Sequence, residues 1–351
     1  MPVNTTRVFY VKRFFDPAFA EILARRPTIT LDKLENFTPE AEAAPILAAA
    51  HVFSISSARD ELDPRYHAGA ALFRKTPELL AVSTTGAGYD TVDVKACTEA
   101  GILAVNQSGG NREAVAEHVI SVMIALSKRL GETDRVMRRE ANMDRNLFMG
   151  EDIYGKTIGI VGIGNVGSRI AERCRGLFAM RVLAYDPYLG RDQVAARGAE
   201  KIDTLDALLG QADFVSVNCP LTDETRGMIG AREYALMQPN AYFITSARGH
   251  IHDEAALAAA LAHKQIAGAG LDVWAKEPPP LDHPLLKFDN VIVSPHVAGA
   301  TKQARRNLAV MAAEQILDIL DGKRPPRMLN PDVWPVYARR FERCFGFAPQ
   351  A

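Results

Sequence analysis

The stretch TIGIVGIGNVG (Thr157–Gly167), with RVLAYD (Arg181–Asp186) following it, decides the fold. Thr157–Gly162 is a short apolar run rich in β-branched residues, as a buried parallel strand requires. It runs into Gly162-Ile163-Gly164-Asn165-Val166-Gly167, a G-x-G-x-x-G turn, and then into an amphipathic helix from Val166 to Phe178. Each glycine has a separate task. Gly162 permits the tight strand-to-helix turn, Gly164 lets a backbone come close to a pyrophosphate, and Gly167 lets the helix pack against the strand. The helix N-terminus then offers N–H groups and a partial positive charge to an anion. Arg181–Tyr185 reads as the next strand. It ends in Asp186, 19 residues past Gly167, close to the ~20 expected of the carboxylate that binds a dinucleotide's adenosine ribose. That carboxylate would repel a 2′-phosphate, and no arginine follows it directly. The expected cofactor is therefore NAD (NADH) rather than NADP.

Outward from this unit the chain keeps alternating strand and helix. Before it, Thr6–Val11, His51–Ser56, Leu79–Thr84 and Ile102–Val105 read as strands, with helices at Pro17–Ala24 and ending at Ile46–Ala50. A long helix with Val115, Val119, Val122, Met123 and Leu126 at helical spacing runs from an Asn111 N-cap to about Leu130, followed by a polar stretch, Gly131–Gly150. After it, strands are expected at Phe214–Asn218, Tyr242–Thr245, Gly268–Val273 and Val291–Ser294, and helices at Asp203–Leu209, Asp253–Ala262 and Thr301–Asp321. Gly322 suits the C′ position of the last of these. The tail Leu329–Ala351 reads as a docked segment. The pattern predicts α/β architecture with parallel sheets. No flexible linker is visible, so continuous helices are expected to tie the parts together.

Bulk properties narrow the function. The chain has 351 residues, 48% hydrophobic and 24% charged, which suits about two domains of an ordinary globular protein. Lys+Arg number 41 against Asp+Glu 42, for a net charge of −1. Such a chain carries no footprint for nucleic acid. The four cysteines lie far apart with no metal-ligand spacing, so reduced thiols and no metal site are expected. The first residues lack the apolar core and cleavage site of a secretory leader, and no apolar run reaches the ~20 residues of a membrane span. A cytoplasmic protein with no membrane partner is expected.

Three further segments each place a polar residue just past a strand: ITSARG with Arg248, GLDVWAKEP with Glu277, and VIVSPH with His296. Ligands of open parallel sheets bind outside the strand carboxyl ends, so the three could meet at one site. Their chemistry is complementary. Arg248 can hold a carboxylate bidentately, His296 can exchange a proton near neutral pH, and Glu277 can fix the other ring nitrogen and favour the imidazolium. Taken singly, each is an ordinary surface arginine, structural histidine or solvated glutamate. The reading rests on the set.

On these residues the chain resembles the D-isomer-specific 2-hydroxyacid dehydrogenases, which include phosphoglycerate dehydrogenase, hydroxypyruvate/glyoxylate reductase and D-lactate dehydrogenase. The resemblance covers about residues 50–325, through STTGAGYDTVD (Ser83–Asp93), VGIGNVG, NCPLTDETRGMIG (Asn218–Gly230), ARG (Ala247–Gly249), GLDVWAKEPP (Gly270–Pro279) and SPHVAGAT (Ser294–Thr301). It implies two doubly wound, Rossmann-like and flavodoxin-like domains with a cleft between them. One is a discontinuous substrate domain of residues 1–110 and 301–351, the other an NAD domain of residues 111–300. It implies Arg248, Glu277 and His296 as the catalytic set. It implies that Asn165, Val166, Asp186, Cys219, Ser246, Asp272, His296 and Gly299 line the cofactor site, and that Ala87 and Gly88 offer backbone N–H groups to a substrate carboxylate. The implied activity is hydride transfer to or from C2 of a small 2-oxo or 2-hydroxy acid, in a homodimer built on the Asn111–Leu130 helix.

Three features depart from the family or stand apart from it. With the sequence ending at 351, the regulatory domain of some phosphoglycerate dehydrogenases is expected to be absent. NQSGGN (Asn106–Asn111) has Gln-Ser where Thr-Pro is common, and the tail is longer than usual. Ser54–Arg59 (SISSAR) are candidates to face the substrate, with Arg59 either neutralising a phosphate or simply solvated. Two other functions share the motifs: an NAD(H)-sensing corepressor that binds peptides, and a formate- or phosphite-type dehydrogenase.

Overall fold

Parallel strands buried on both faces need continuous apolar runs, and this chain supplies them in two separate groups. The computed structural model describes residues 5–14 and 16–350. Met1–Asn4, where the search for a leader begins, Phe15, and Ala351 at the end of the tail lie outside the described residues. The first group is β1 (Thr6–Val11), β2 (Ile29–Leu34), β3 (Val52–Ile55), β4 (Ala81–Thr84) and β5 (Leu103–Val105). They form an all-parallel sheet in the order β2-β1-β3-β4-β5. The second group is β6 (Thr157–Val161), β7 (Arg181–Tyr185), β8 (Glu200–Lys201), β9 (Phe214–Val217), β10 (Tyr242–Thr245), β11 (Gly268–Leu271) and β12 (Val291–Val293). These are parallel in the order β12-β11-β10-β9-β6-β7-β8. The expected doubly wound α/β architecture is what the chain adopts.

The chain divides into two compact units, residues 1–111 with 302–351 and residues 112–301. The helices Arg112–Ser127 and Lys302–Leu320 begin where the chain passes from one unit to the other. Each belongs to one unit instead of spanning both, which corrects the expectation of continuous tying helices.

In the second unit the strand order reverses between β6 and β9, which makes this the switch point where an open sheet binds ligands. Helix Arg112–Ser127 buries Val115, Val119, Val122, Met123 and Leu126, and the last four join a core that includes Ile158, Ile160 and Ile170. The helix ends at Ser127, short of Leu130. Arg129 takes a left-handed conformation, φ +53°, and its guanidinium grips Glu132 at 2.6 and 2.8 Å as a new helix begins, Leu130–Met137. The stretch that reads only as polar is therefore partly helical.

In the first unit the edge strand β2 is absent from the sequence reading. ITLDKL is mostly half-exposed, so it lacks the apolar run that betrays the central strands. The tail docks as expected. It includes a helix, Trp334–Phe345, that buries Tyr337 and Phe341 against residues such as Val8, Val52 and Leu103. Asn330 fastens it to the sheet edge. Its Oδ1 accepts Ala104 N at 2.9 Å, and its Nδ2 donates to Ile102 O at 2.9 Å and Thr98 Oγ1 at 3.2 Å. Replacing a residue that satisfies buried backbone groups costs about 1–3 kcal/mol. Asn330→Ala is therefore expected to lower stability by about 2 kcal/mol in urea unfolding followed by circular dichroism, and a loss under about 0.5 kcal/mol would contradict this anchoring.

Candidate active site

The glycine loop is built as its sequence requires. Gly162 has φ +86°, and a Cβ there would lie 2.8 Å from the Cys219 nitrogen, so only glycine lets the loops after β6 and β9 abut. A Cβ on Gly167 would come within 2.4 Å of the Gly162 carbonyl oxygen. The helix Asn165–Phe178 starts from Gly164 with no side-chain cap, which leaves its positive end to whatever approaches. Asp186 stands beside the loop. One carboxylate oxygen accepts Ile163 N at 3.2 Å and the other accepts Tyr188 N at 3.1 Å. Each oxygen keeps a lone-pair site, enough for two ribose hydroxyls. A loop that tolerates no Cβ at Gly162 or Gly167 and stays open at Gly164, an uncapped helix end and a fixed carboxylate together fit a dinucleotide.

Arg248, Glu277 and His296 follow β10, β11 and β12, which are neighbours in the sheet. The structure brings Glu277 and His296 into contact, with His296 Nδ1 2.7 Å from Glu277 Oε2. The other oxygen of Glu277 accepts Trp274 N at 3.1 Å. His296 sits at φ +56°, a left-handed conformation that costs a non-glycine residue roughly 1–2 kcal/mol.

Asp272, 1% exposed, holds that turn in place. Its carboxylate accepts Val297 N at 2.8 Å, Ala298 N at 2.9 Å and Ser294 Oγ at 2.5 Å. Its backbone carbonyl accepts His296 N at 2.7 Å. His118, on the Arg112–Ser127 helix, reaches Ser294 Oγ at 3.3 Å. The sequence flagged Asp272 only through resemblance and did not flag Trp274 or His118. An acid closing a strand within GLDVW is the signal that could have singled out Asp272.

The ring of His296 is 39% exposed, and the bond to Glu277 occupies Nδ1, which leaves Nε2 for proton exchange. Glu277 holds the imidazole pKa above its ordinary value through their hydrogen bond, against burial and the Arg248 charge, which lower it. For Glu277, burial raises the carboxyl pKa, but the bond and charge of His296, the Trp274 amide and Arg248 outweigh it and hold the pKa below the usual range. Arg248 is half-buried and gives one N–H to the Ala247 carbonyl at 2.7 Å. Ser246 and Gly299 are half-buried in the same strand-end segments as Arg248 and His296, and Val166 and Cys219 are half-buried at the glycine loop. Burial pushes the Cys219 thiol up to about 11, so it is no nucleophile near neutral pH.

In the other unit, the turn Gly86-Ala87-Gly88 is braced from beneath. The Gly86 carbonyl accepts Gln107 N at 2.9 Å and Thr84 Oγ1 at 2.8 Å, and the Ala87 carbonyl accepts Asn106 Nδ2 at 2.8 Å. Buried Gln107, the departure from Thr-Pro, also donates to Ser83 Oγ and the Thr84 carbonyl, at 3.1 and 3.0 Å. Of the SISSAR residues, Ser54 is buried in β3 and Arg59 gives its Nε to the Asp90 carbonyl at 2.8 Å.

A dinucleotide cradle and an Arg, Glu, His set on the strand ends of one sheet define a pyridine-nucleotide-binding domain fitted for acid–base chemistry. The sequence profile of the D-isomer specific 2-hydroxyacid dehydrogenase NAD binding domain matches residues 120–298. A D-3-phosphoglycerate dehydrogenase of Archaeoglobus fulgidus is 39% identical over 267 residues, 76% of this chain and 50% of that protein. A glyoxylate reductase of Korarchaeum cryptofilum is 38% identical over 276 residues, 78% of this chain and 82% of that protein. The chain thus spans about half the length of that phosphoglycerate dehydrogenase and most of the reductase. A D-lactate dehydrogenase of Aquifex aeolicus, solved with NAD and lactic acid, superposes with a TM-score of 0.77 at 26% identity, covering 92% of this chain and 98% of that one. The chain belongs to the D-isomer specific 2-hydroxyacid dehydrogenase family and carries that family's NAD-binding domain.

The grip of Asp272 on the His296 turn has a direct readout. In Asp272→Asn one side-chain oxygen remains where two accept now. Because a hydrogen bond to a charged group contributes about 1.5–3 kcal/mol, amide hydrogen exchange at Val297 or Ala298 should quicken at least about ten-fold. Unchanged exchange at both amides would contradict this role for Asp272.

Proposed function

We propose that this chain is an NAD-dependent D-2-hydroxyacid dehydrogenase that reduces a small 2-oxo acid. The observation that carries the reading is the 2.7 Å bond between His296 Nδ1 and Glu277 Oε2, set in the sheet that bears the glycine loop. Gly162, Gly164, Asn165, Val166 and Gly167 would hold the pyrophosphate and Asp186 the adenosine ribose. Cys219, Ser246 and Gly299 would line the rest of the site, and Asp272 would hold the turn between them. The nicotinamide, when bound, supplies or takes up the hydride.

The chain's own groups do the remainder. Arg248 pairs with the carboxylate of the acid. His296 gives a proton from Nε2 to the carbonyl oxygen in reduction and takes it from the hydroxyl in oxidation. Glu277 keeps the ring oriented and its charged form favoured. For Ala87 and Gly88 the role is that of peptide N–H donors to a carboxylate, in a turn whose rigidity comes from Gln107.

Reduction needs the imidazolium. It is therefore fastest at low pH and falls as pH rises through the raised His296 pKa, whereas oxidation needs the neutral ring and rises over the same range. NADH oxidation with glyoxylate, hydroxypyruvate, phosphohydroxypyruvate and pyruvate tests the reading. Turnover with at least one acid is expected, with NADH favoured over NADPH. His296→Ala should lose about 10²–10⁴-fold in kcat, and Glu277→Gln should move the fall in reduction rate to lower pH. No turnover with any of these acids between pH 5 and 9, or a fully active His296→Ala enzyme, would overturn the proposal.

A homodimer is the assembly this reading favours, through a surface other than the one the sequence suggests. The apolar face of helix Arg112–Ser127 is spent within its own unit. Five exposed apolar residues follow it along the chain: Leu130, Met137 (72% exposed), Leu147, Met149 (76%) and Tyr154. So large an apolar display along one segment suits a second copy of the chain. Sedimentation equilibrium should give a dimer for the wild type and a monomer for Met137→Glu with Met149→Glu, and a monomeric wild type would refute it. Among the described residues no helix is long and apolar enough to cross a membrane.

A further inference from the structure

Trp274 touches all three segments that carry the candidate catalytic residues, and it is 4% exposed. Its backbone N–H donates to Glu277 Oε1 at 3.1 Å. Its indole Nε1 donates to the Ser294 carbonyl at 3.0 Å, two residues before His296. Its own carbonyl carbon and oxygen would lie 2.0 and 2.1 Å from a Cβ on Gly249, so the residue after Arg248 must be glycine for the segments to meet. The ring is held from its far side by His283, edge to face with centroids 5.3 Å apart. His283 Nε2 lies 3.2 Å from Glu254 Oε2, and Glu254 Oε1 accepts Ala275 N at 2.7 Å.

We propose that Trp274 is the positioning residue that sets Glu277 against His296, its indole N–H tying the loop after β11 to the turn after β12. A phenylalanine would fill much of the same space and donate nothing. The hydrogen bonds of Asp272 fix the backbone from Ser294 to Ala298 to the end of β11, but they do not reach Glu277. Trp274 bonds Glu277 through its backbone N–H and reaches the His296 turn through its indole, at the Ser294 carbonyl. Around the imidazole the charges are Glu277 and Asp272, which favour its protonation, and Arg248, which opposes it. His118 bears on the turn through Ser294. With the indole bond gone, Glu277 would be free to drift from Nδ1, and burial and the Arg248 charge would weigh more against the imidazolium.

The inference rests on the acid–base reading of His296, so the test includes a measurement that needs no turnover. In the full-length protein, the Cε1 proton of His296 is titrated by NMR in the wild type, in Trp274→Phe, and with benzothienylalanine at 274 in a Trp334→Phe background. Benzothienylalanine keeps the shape of the ring and replaces its N–H with sulfur, so it remains informative if the phenylalanine variant fails to fold. Both substitutions should lower the His296 midpoint toward the ordinary histidine value of ~6.5. They should cut kcat for 2-oxo acid reduction about three- to ten-fold, as loss of one hydrogen bond implies, and leave NADH affinity unchanged. A wild-type midpoint in folded variants would overturn the proposal. A lowered midpoint in a protein whose wild type reduces no 2-oxo acid would uphold the positioning role and refute the functional reading.

Discussion

The second unit is organised around one buried carboxylate. Asp272 closes β11 and gathers a hydroxyl and two peptide N–H groups on its side chain and a third N–H on its carbonyl. A buried anion without partners is expensive, so a segment able to supply three donors to the carboxylate and a fourth to the carbonyl beside it is drawn to it. That segment is the turn after β12, and the same bonds hold His296 in a backbone conformation that a histidine seldom takes. The geometry of the site thus follows from satisfying a charge that folding has removed from water. The Glu277 bond can form because the turn is already in place.

Much of this was legible in the chain. The glycine loop, Asp186 and the three polar strand ends announce themselves because their chemistry depends on local spacing. The central strands do so because burial on both faces demands unbroken apolar runs. What escaped reading depends on distant partners or on exposure. The edge strand β2 is half-solvated and shows no such run. The helix Leu130–Met137 exposes Met137 and Leu130, buries none of its residues and is only 8 residues long, so no buried apolar stripe marks it. Trp274 and His118 act through Ser294, 20 and 176 positions away, a relation no local pattern encodes.

Gln107 shows how a departure from a motif becomes intelligible. In the sequence it is only an unexpected residue before a pair of glycines. In the fold it is a buried brace whose amide reaches Ser83 and Thr84 while its backbone N–H holds Gly86. Gln315, from the helix Lys302–Leu320, completes the brace by donating to the Asn106 carbonyl at 3.1 Å. A proline-bearing turn would stiffen this place by restricting φ, whereas here side-chain hydrogen bonds stiffen it.

The division of the chain also orders its birth on the ribosome. The unit that is translated first cannot finish its core until the end of the chain emerges, because Ala312, Ile316, Tyr337 and Phe341 pack among Val8, Val52 and Leu103. Between the two halves of that unit the ribosome must make the whole of residues 112–301, roughly 10–40 s of synthesis at ~5–20 residues per second. For at least that interval the apolar surface that awaits Tyr337 and Phe341 has no cover from its own chain, and the unit made second is complete before that cover is translated. The nascent protein is therefore most exposed to misassociation through its oldest residues.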